Sequence, residues 1–276
     1  MSRQVCGVAY LNDAVGKIYI VCRNCDTISV FHAMSPYEQL RGIHVNGLQQ
    51  ATDIVACPVN MLLFVADYDA GCVWQVTTGG KVDGRLHTLP VWSPSKRTAT
   101  EVYPVSLSVR SSRLAIVEVN RILICDPHSD KRDEIEFDQL VTVHHAVEKE
   151  HHSFIVALTD RSPDMSRSAI RNVEQDQNSG KWIQSREWNF RDLTPPLADI
   201  RRPLYMAWDT SGCLYVATDN SRRVLVLDSK LNVVRSVCLR KRSMPKRLSF
   251  LCHPRQSLSL IVAAGYTVNV YNDLVS

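Results

Sequence analysis

Residues 203–228 read PLYMAWDTSGCLYVATDNSRRVLVLD. An apolar run opens at Pro203, a turn of Asp, Thr, Ser and Gly follows at 209–212, and a second apolar run ends at Asp219. A polar turn and a third run, Val224 to Leu227, complete the phrase. Short β-branched and aliphatic runs bounded by Gly, Asp and Ser describe strands joined by hairpins. Pro203 suits the start of such a strand, where no ladder donor is needed.

The phrase returns along the chain. Its second run, CLYVATDN (213–220), has counterparts in KIYIVCR (17–23), LLFVADYD (62–69), RLAIVEVN (113–120), SFIVALTD (153–160) and SLSLIVAAG (257–265). Superposing Ile20, Val65, Ile116, Val156, Val216 and Val262 gives spacings of 45, 51, 40, 60 and 46 residues. First runs recur as VCGVAYL, ATDIVACP, PVSLSVR, VTVHHAVE, PLYMAWDT and PKRLSFLC. Repeats of four short strands at this period mark a β-propeller, whose units cannot bury their faces alone.

The expected fold is therefore all-β: one six-bladed propeller over residues 1–276, with four-stranded antiparallel blades near 5–47, 49–92, 102–137, 140–190, 201–239 and 244–276. Fourth strands are expected at QLRGIHV, RLHTLPVW, EIEF, KWIQSREWNF and VVRSVCL. After the sixth unit's third strand, TVNVYN, only DLVS remains, so the last blade is expected to be incompletely closed. Either an edge strand is left that invites pairing, or the chain is a piece of a longer protein; the second reading is favoured.

Composition is ordinary for a globular chain, with 45% hydrophobic and 22% charged residues and a formal net charge of +4. No apolar run approaches the ~18 residues of a membrane span, and MSRQVCGVAY lacks the apolar core of a secretory signal, so no membrane contact is expected. Nine cysteines, mostly inside strand patterns, point to small buried hydrophobes in a reduced, cytoplasmic setting. Cys22 and Cys25 form a single CxxC without the second pair that zinc requires. Gly79 and Gly80 lack the strand–glycine–helix context of a phosphate loop, and no cofactor is expected.

The phrase at 203–228 resembles the NHL repeat: a proline, an apolar strand, Asp-x-x-Gly, an apolar-Tyr-Val-Ala strand, an Arg and a third strand. Blade five matches almost throughout; LLFVADYDAGCVWQV and SLIVAAGYTVNVYN keep much of the pattern, and the other blades keep its hydrophobic frame. The resemblance implies a six-bladed binding platform for protein segments or single-stranded RNA, as in TRIM-type proteins. Their RING and B-box cysteine arrays have no counterpart here, so ligase activity is not implied. Trp208-Asp209 sits at the end of a first strand, whereas WD repeats carry that pair on the third.

The top face, where first strands begin, collects the basic residues. Arg201, Arg202, Arg222, Arg223, Arg240, Lys241, Arg242, Lys246 and Arg247 fall in neighbouring loops of blades five and six, opposed mainly by Asp199 and Asp219. Lys96, Arg97, Arg161 and Arg167 extend the field, and Tyr205 and Tyr266 are candidates for base stacking. Such a cluster attracts phosphates or acidic segments. The expected function is a non-catalytic scaffold binding a protein partner with an acidic or extended segment; single-stranded RNA is the alternative. A metal-dependent hydrolase or lyase is a further alternative, but of the inner positions Asp53, Ser106, His144, Met206 and Leu248 only Asp53 and His144 could hold a divalent ion. His144 and His145, adjacent in a strand, are expected on opposite faces, and His151 and His152 at the bottom turn, so no metal site is expected.

Overall fold

Runs apolar at nearly every position can be buried only between two covered faces, and they form the second strand of each blade. The computed structural model describes residues 4–13, 15–78, 88–92, 104–110, 113–126, 132–161, 167–190, 197, 202–219, 221–239, 245–251 and 259–272. Blade one is β1 (Val5–Leu11), β2 (Lys17–Cys22), β3 (Thr27–His32) and β4 (Gln39–His44); blade two is β5 (Ala51–Cys57), β6 (Leu62–Asp67), β7 (Cys72–Thr77) and β8 (Thr88–Trp92). Blade three is β9 (Ser106–Arg110), β10 (Arg113–Val117), β11 (Arg121–Cys125) and β12 (Arg132–Glu136). Blade four is β13 (Val141–Glu150), β14 (Ser153–Asp160), β15 (Arg167–Gln175) and β16 (Trp182–Asn189). Blade five is β17 (Arg202–Trp208), β18 (Leu214–Asp219), β19 (Arg223–Leu227) and β20 (Val233–Cys238). Among the described residues blade six has three strands: β21 (Arg247–Leu251), β22 (Ser259–Ala264) and β23 (Thr267–Tyr271).

Every blade is an antiparallel meander running outward from its first strand. The first strands form the inner ring: each packs beside that of the next blade, and β1 packs beside β21. Val5 N–H donates to Gly265 O at 2.9 Å, tying blade one to the last hairpin of blade six. The superposed second-strand residues occupy one register. Ile20 pairs with Val8, Val65 with Ile54, Ile116 with Leu107, Val156 with Ala146, Val216 with Met206 and Val262 with Leu248. The core is correspondingly split into wedges between blades, of which Ile28, Ile54 and Leu63 fill one and Met206, Val216 and Leu225 another.

Candidate functional site

That register fixes which residues meet on the axis. The position before each inner pair is Gly7, Asp53, Ser106, His145, Tyr205 and Arg247, one from each blade. Four of the six first strands carry a β-bulge just above this position, at Cys6, Thr52, His144 and Leu204. An extra residue in a strand shifts its alternation and re-aims the next side chain. Bulges at His144 and Leu204 make His145 and Tyr205 the inner residues of blades four and five, one residue away from the His144 and Met206 expected by simple counting. Blade six has no bulge in its first strand and presents Arg247 in place of the expected Leu248, while Asp53 and Ser106 stand where they were expected.

These six positions make a closed waist. Arg247 reaches from blade six to blade two, donating Nε to Asp53 Oδ1 at 3.2 Å and Nη2 to the carbonyls of Thr52 at 3.1 Å and Val105 at 3.3 Å. Blade one, which lies between them, contributes Gly7, where a Cβ would meet Ile54 N at 2.7 Å and Val21 Cγ2 at 2.9 Å. Asp53 is fully buried, and also accepts the N–H groups of Ile54 and Leu107, both at 2.9 Å. Burial pushes its carboxyl up to about 6, against the opposing pull of Arg247 and the two amides. His145, also fully buried, has Nε2 3.0 Å from Leu107 O, and its Nδ1 accepts Met206 N–H at 3.3 Å. That pattern needs a neutral ring protonated at Nε2, and burial agrees, bringing the imidazole down to about 3. Tyr205 lies under both, with its ring centre 3.7 Å from that of His145 and 5.0 Å from Arg247 Cζ.

Above the waist the axis opens into a top mouth of about 640 Å³, lined by Cys6, Arg23, Thr52, Tyr68, His144 and Lys246 among others. Below it lies a separate recess of about 420 Å³ with Tyr10, Arg110, Trp208 and Phe250 on its walls. The field in the top mouth is positive. Burial raises the Cys6 thiol, Arg247, Arg23 and Lys246 pull it back, and Asp53 adds to the rise. Burial brings His144 down to about 4, with Arg202 and Arg161 pushing it the same way and Asp219 opposing them. The bulge leaves His144 in the mouth, its Nε2 2.9 Å from Thr159 Oγ1, and sends His145 into the waist.

The basic cluster expected on the top face separates into different roles. Arg202 is the first residue of β17 and pairs with Asp219 at 2.7 Å. Arg223 donates Nη1 to Ser236 Oγ at 3.0 Å, whereas Arg222 is exposed beside it. Lys246 is exposed at the mouth and Arg247 is drawn inside. Tyr205 is buried and covered by His145 and Arg247, which leaves no ring face for a base. Tyr266 is 63% exposed, on the β22–β23 hairpin beside a groove between blades six and one. Arg201, Arg240, Lys241, Arg242, Lys96, Arg97 and Asp199 lie outside the described residues. Arg23, which counting by blades five and six overlooks, belongs to the mouth because the ring brings blade one next to blade six.

No protein-family model matches this chain, and no curated protein sequence matches it. Solved structures do. The chain is similar to a luciferin-regenerating enzyme (10% identity, TM-score 0.67, covering 98% of this chain and 92% of that one). It is also similar to the β-propeller domain of Cps50 (Swd1) from Myceliophteria thermophila (11% identity, TM-score 0.61, 97% and 83% covered). A chain of a nidogen/laminin complex aligns at 10% identity and TM-score 0.60, with 93% and 92% covered. At such identities the likeness establishes the propeller fold and leaves the activity open.

Proposed function

We propose that this chain is a non-catalytic binding module whose top mouth takes an acidic, extended segment of a protein partner. The observation that carries the reading is the positive field over a closed floor. Two independent side chains in the mouth, Cys6 and His144, feel five arginines and lysines against two aspartates, Asp53 and Asp219, which pair with Arg247 and Arg202. The polar groups that a catalytic metal would need are engaged in holding blades together: Asp53 by Arg247 and two amides, and His145 at both nitrogens. The similarity to a chain in a nidogen/laminin complex is in keeping with a protein partner.

The NHL-like reading belongs with this proposal. Its support is the way the repeat's aspartates act: Asp209 Oδ1 accepts the amides of Ser211 and Cys213, at 2.9 and 2.8 Å, and so shapes the turn. In blade two Asp67 accepts Gln49 and Gln50 N–H, at 2.8 and 2.9 Å, and ties the blade to its connector. A cytoplasmic setting goes with it, since Cys57, Cys72 and Cys125 pack as buried apolar side chains.

A fluorescein-labelled octaglutamate peptide tests the mouth by anisotropy, with the double variant R23A/K246A as comparison. Saturable binding that the variant weakens at least tenfold, with unfolding temperature unchanged, is the expected result. Equal binding by both proteins removes the site. A random single-stranded RNA pool run beside it separates the alternative: tighter binding of RNA than of peptide, with a steep log–log salt slope, replaces the protein reading by an RNA one.

A further inference from the structure

At the groove beside Tyr266 the burial pattern of the third strands breaks. On the third strand of each blade, the residue preceding the partner of the superposed second-strand position is Ile28, Val73, Ile122, Ile170, Val224 or Val268. The first five are 0% exposed. Val268 is only partly buried, as is every residue of β23.

The difference has a definite origin. Each of the five buried residues pairs with an apolar residue of a fourth strand: Ile28 with Ile43, Val73 with Trp92, Ile122 with Ile135, Ile170 with Trp188 and Val224 with Val237. Where fourth-strand side chains are described, these residues also pack into the wedge toward the next blade, Ile43 and Ile135 among them. Among the described residues β23 has no strand on its outer side. In place of a fourth strand there is an apolar groove of about 460 Å³, walled by Val268 and Val270 of blade six and by Ile18, Ile20 and Phe31 of blade one. It is continuous with the buried wedge of Val5, Val8 and Ile261 that joins the two blades.

We propose that this groove is a strand-docking site: an extended segment of a partner protein adds to β23 as the fourth strand of blade six, antiparallel to it, and sets an Ile, Val or Trp opposite Val268. Five copies of the same arrangement within the molecule specify the occupant's chemistry. The backbone edge of β23 supplies the ladder, and alternate apolar side chains enter the groove. The site lies on the outer side of the ring and is independent of the top mouth.

The probes are four fluorescein-labelled peptides copying the chain's own fourth strands: residues 38–45, 131–138, 181–190 and 231–239. Saturable anisotropy is expected for at least one of them, with slowed amide hydrogen exchange confined to β23. Placing Asp at the Ile43 position of the first peptide, or N-methylating its alternate amides, is expected to weaken binding at least tenfold. The near-isosteric protein variant V268T/V270T, which keeps size and strand preference, is expected to do the same while R23A/K246A binds normally. No binding by any of the four at about 1 mM overturns the proposal. Binding that V268T/V270T leaves intact, or that protects strands other than β23, also overturns it. Concentration-dependent dimerisation that V268T/V270T abolishes, without peptide binding, would make a second copy the occupant and refute the partner segment.

Discussion

Blades five and six carry the same register and similar apolar residues, yet they are held in the ring by different means. In blade five the third strand is sealed from outside: Val224 and Val226 are 0% and 1% exposed beneath the fourth strand. In blade six the equivalent Val268 and Val270 are only partly buried, on the last described strand. At the inner end the order reverses. Blade five presents Tyr205, which packs against its neighbours, while blade six presents Arg247, which bonds across blade one to Asp53. The blade with three strands among the described residues is therefore the one that holds the polar clamp. Among the described residues the polar contact between blades six and two lies at the waist, and β23 has no strand on its outer side.

The sharpest way to break this comparison is at the clamp. R247A strands the fully buried Asp53 carboxylate and is expected to cost about 3–5 kcal/mol, the range for removing one partner of a buried pair. The double variant D53N/R247M removes both charges and is expected to regain more than half of that loss in urea denaturation. If R247A unfolds at the same urea concentration as the parent, the waist does not hold blade six.

Acid tests the same ring without mutation. His145 and His144 are brought down to about 3 and about 4, so below the ordinary value near 6.5 the unfolded chain binds more protons and stability falls with falling pH. Asp53, raised to about 6, acts in the opposite sense between about 4 and 6, where the folded chain binds the extra proton. Two histidines against one carboxyl give a net loss of about 2 kcal/mol from pH 7 to pH 5. A urea midpoint that stays constant or rises over that interval contradicts the assignment, and H144Q is expected to flatten the slope.

The outer side gives a smaller effect. Val→Ala at the sealed position 224 is expected to cost about 2 kcal/mol, for two buried methyl groups and the void they leave. The same change at Val268 is expected to cost less than about 1 kcal/mol, because water already reaches that side chain. Equal losses would mean that the edge of β23 is covered as well as its counterpart in blade five.

Much of this was legible before any coordinates. Superposing six second strands on Ile20 through Val262 located the blades and predicted the short sixth one, since burial on both faces writes a continuous apolar run into the sequence. Counting found the waist in blades two and three, at Asp53 and Ser106, and missed it by one residue in blades four, five and six. Bulges at Cys6, Thr52, His144 and Leu204 shift the alternation by one, and nothing in the local composition announces an extra residue in a strand. Arg247 read as a surface charge because its partner Asp53 is 194 residues away, and only closure of the ring brings them together. The groove was half legible: a short sixth blade was expected, but the apolar residue required opposite Val268 emerges only from the pairings of the other five blades.

The smallest effect concerns two residues that a sequence cannot tell apart. Strands β17 and β21 both begin with an arginine that pairs with an aspartate, Arg202 with Asp219 and Arg247 with Asp53. The first pair has side chains 47% and 23% exposed, the second 18% and 0%. Water screens the first and supplies hydrogen bonds when either member is removed, so R202A is expected to change stability by less than about 1 kcal/mol and to lose even that in high salt. In the second, no solvent replaces the missing guanidinium around Asp53. The contrast between R202A and R247A, measured in one buffer by urea denaturation, isolates burial from charge. Similar losses for the two would show that the waist is wet, and that the closed floor assigned to the top mouth is open.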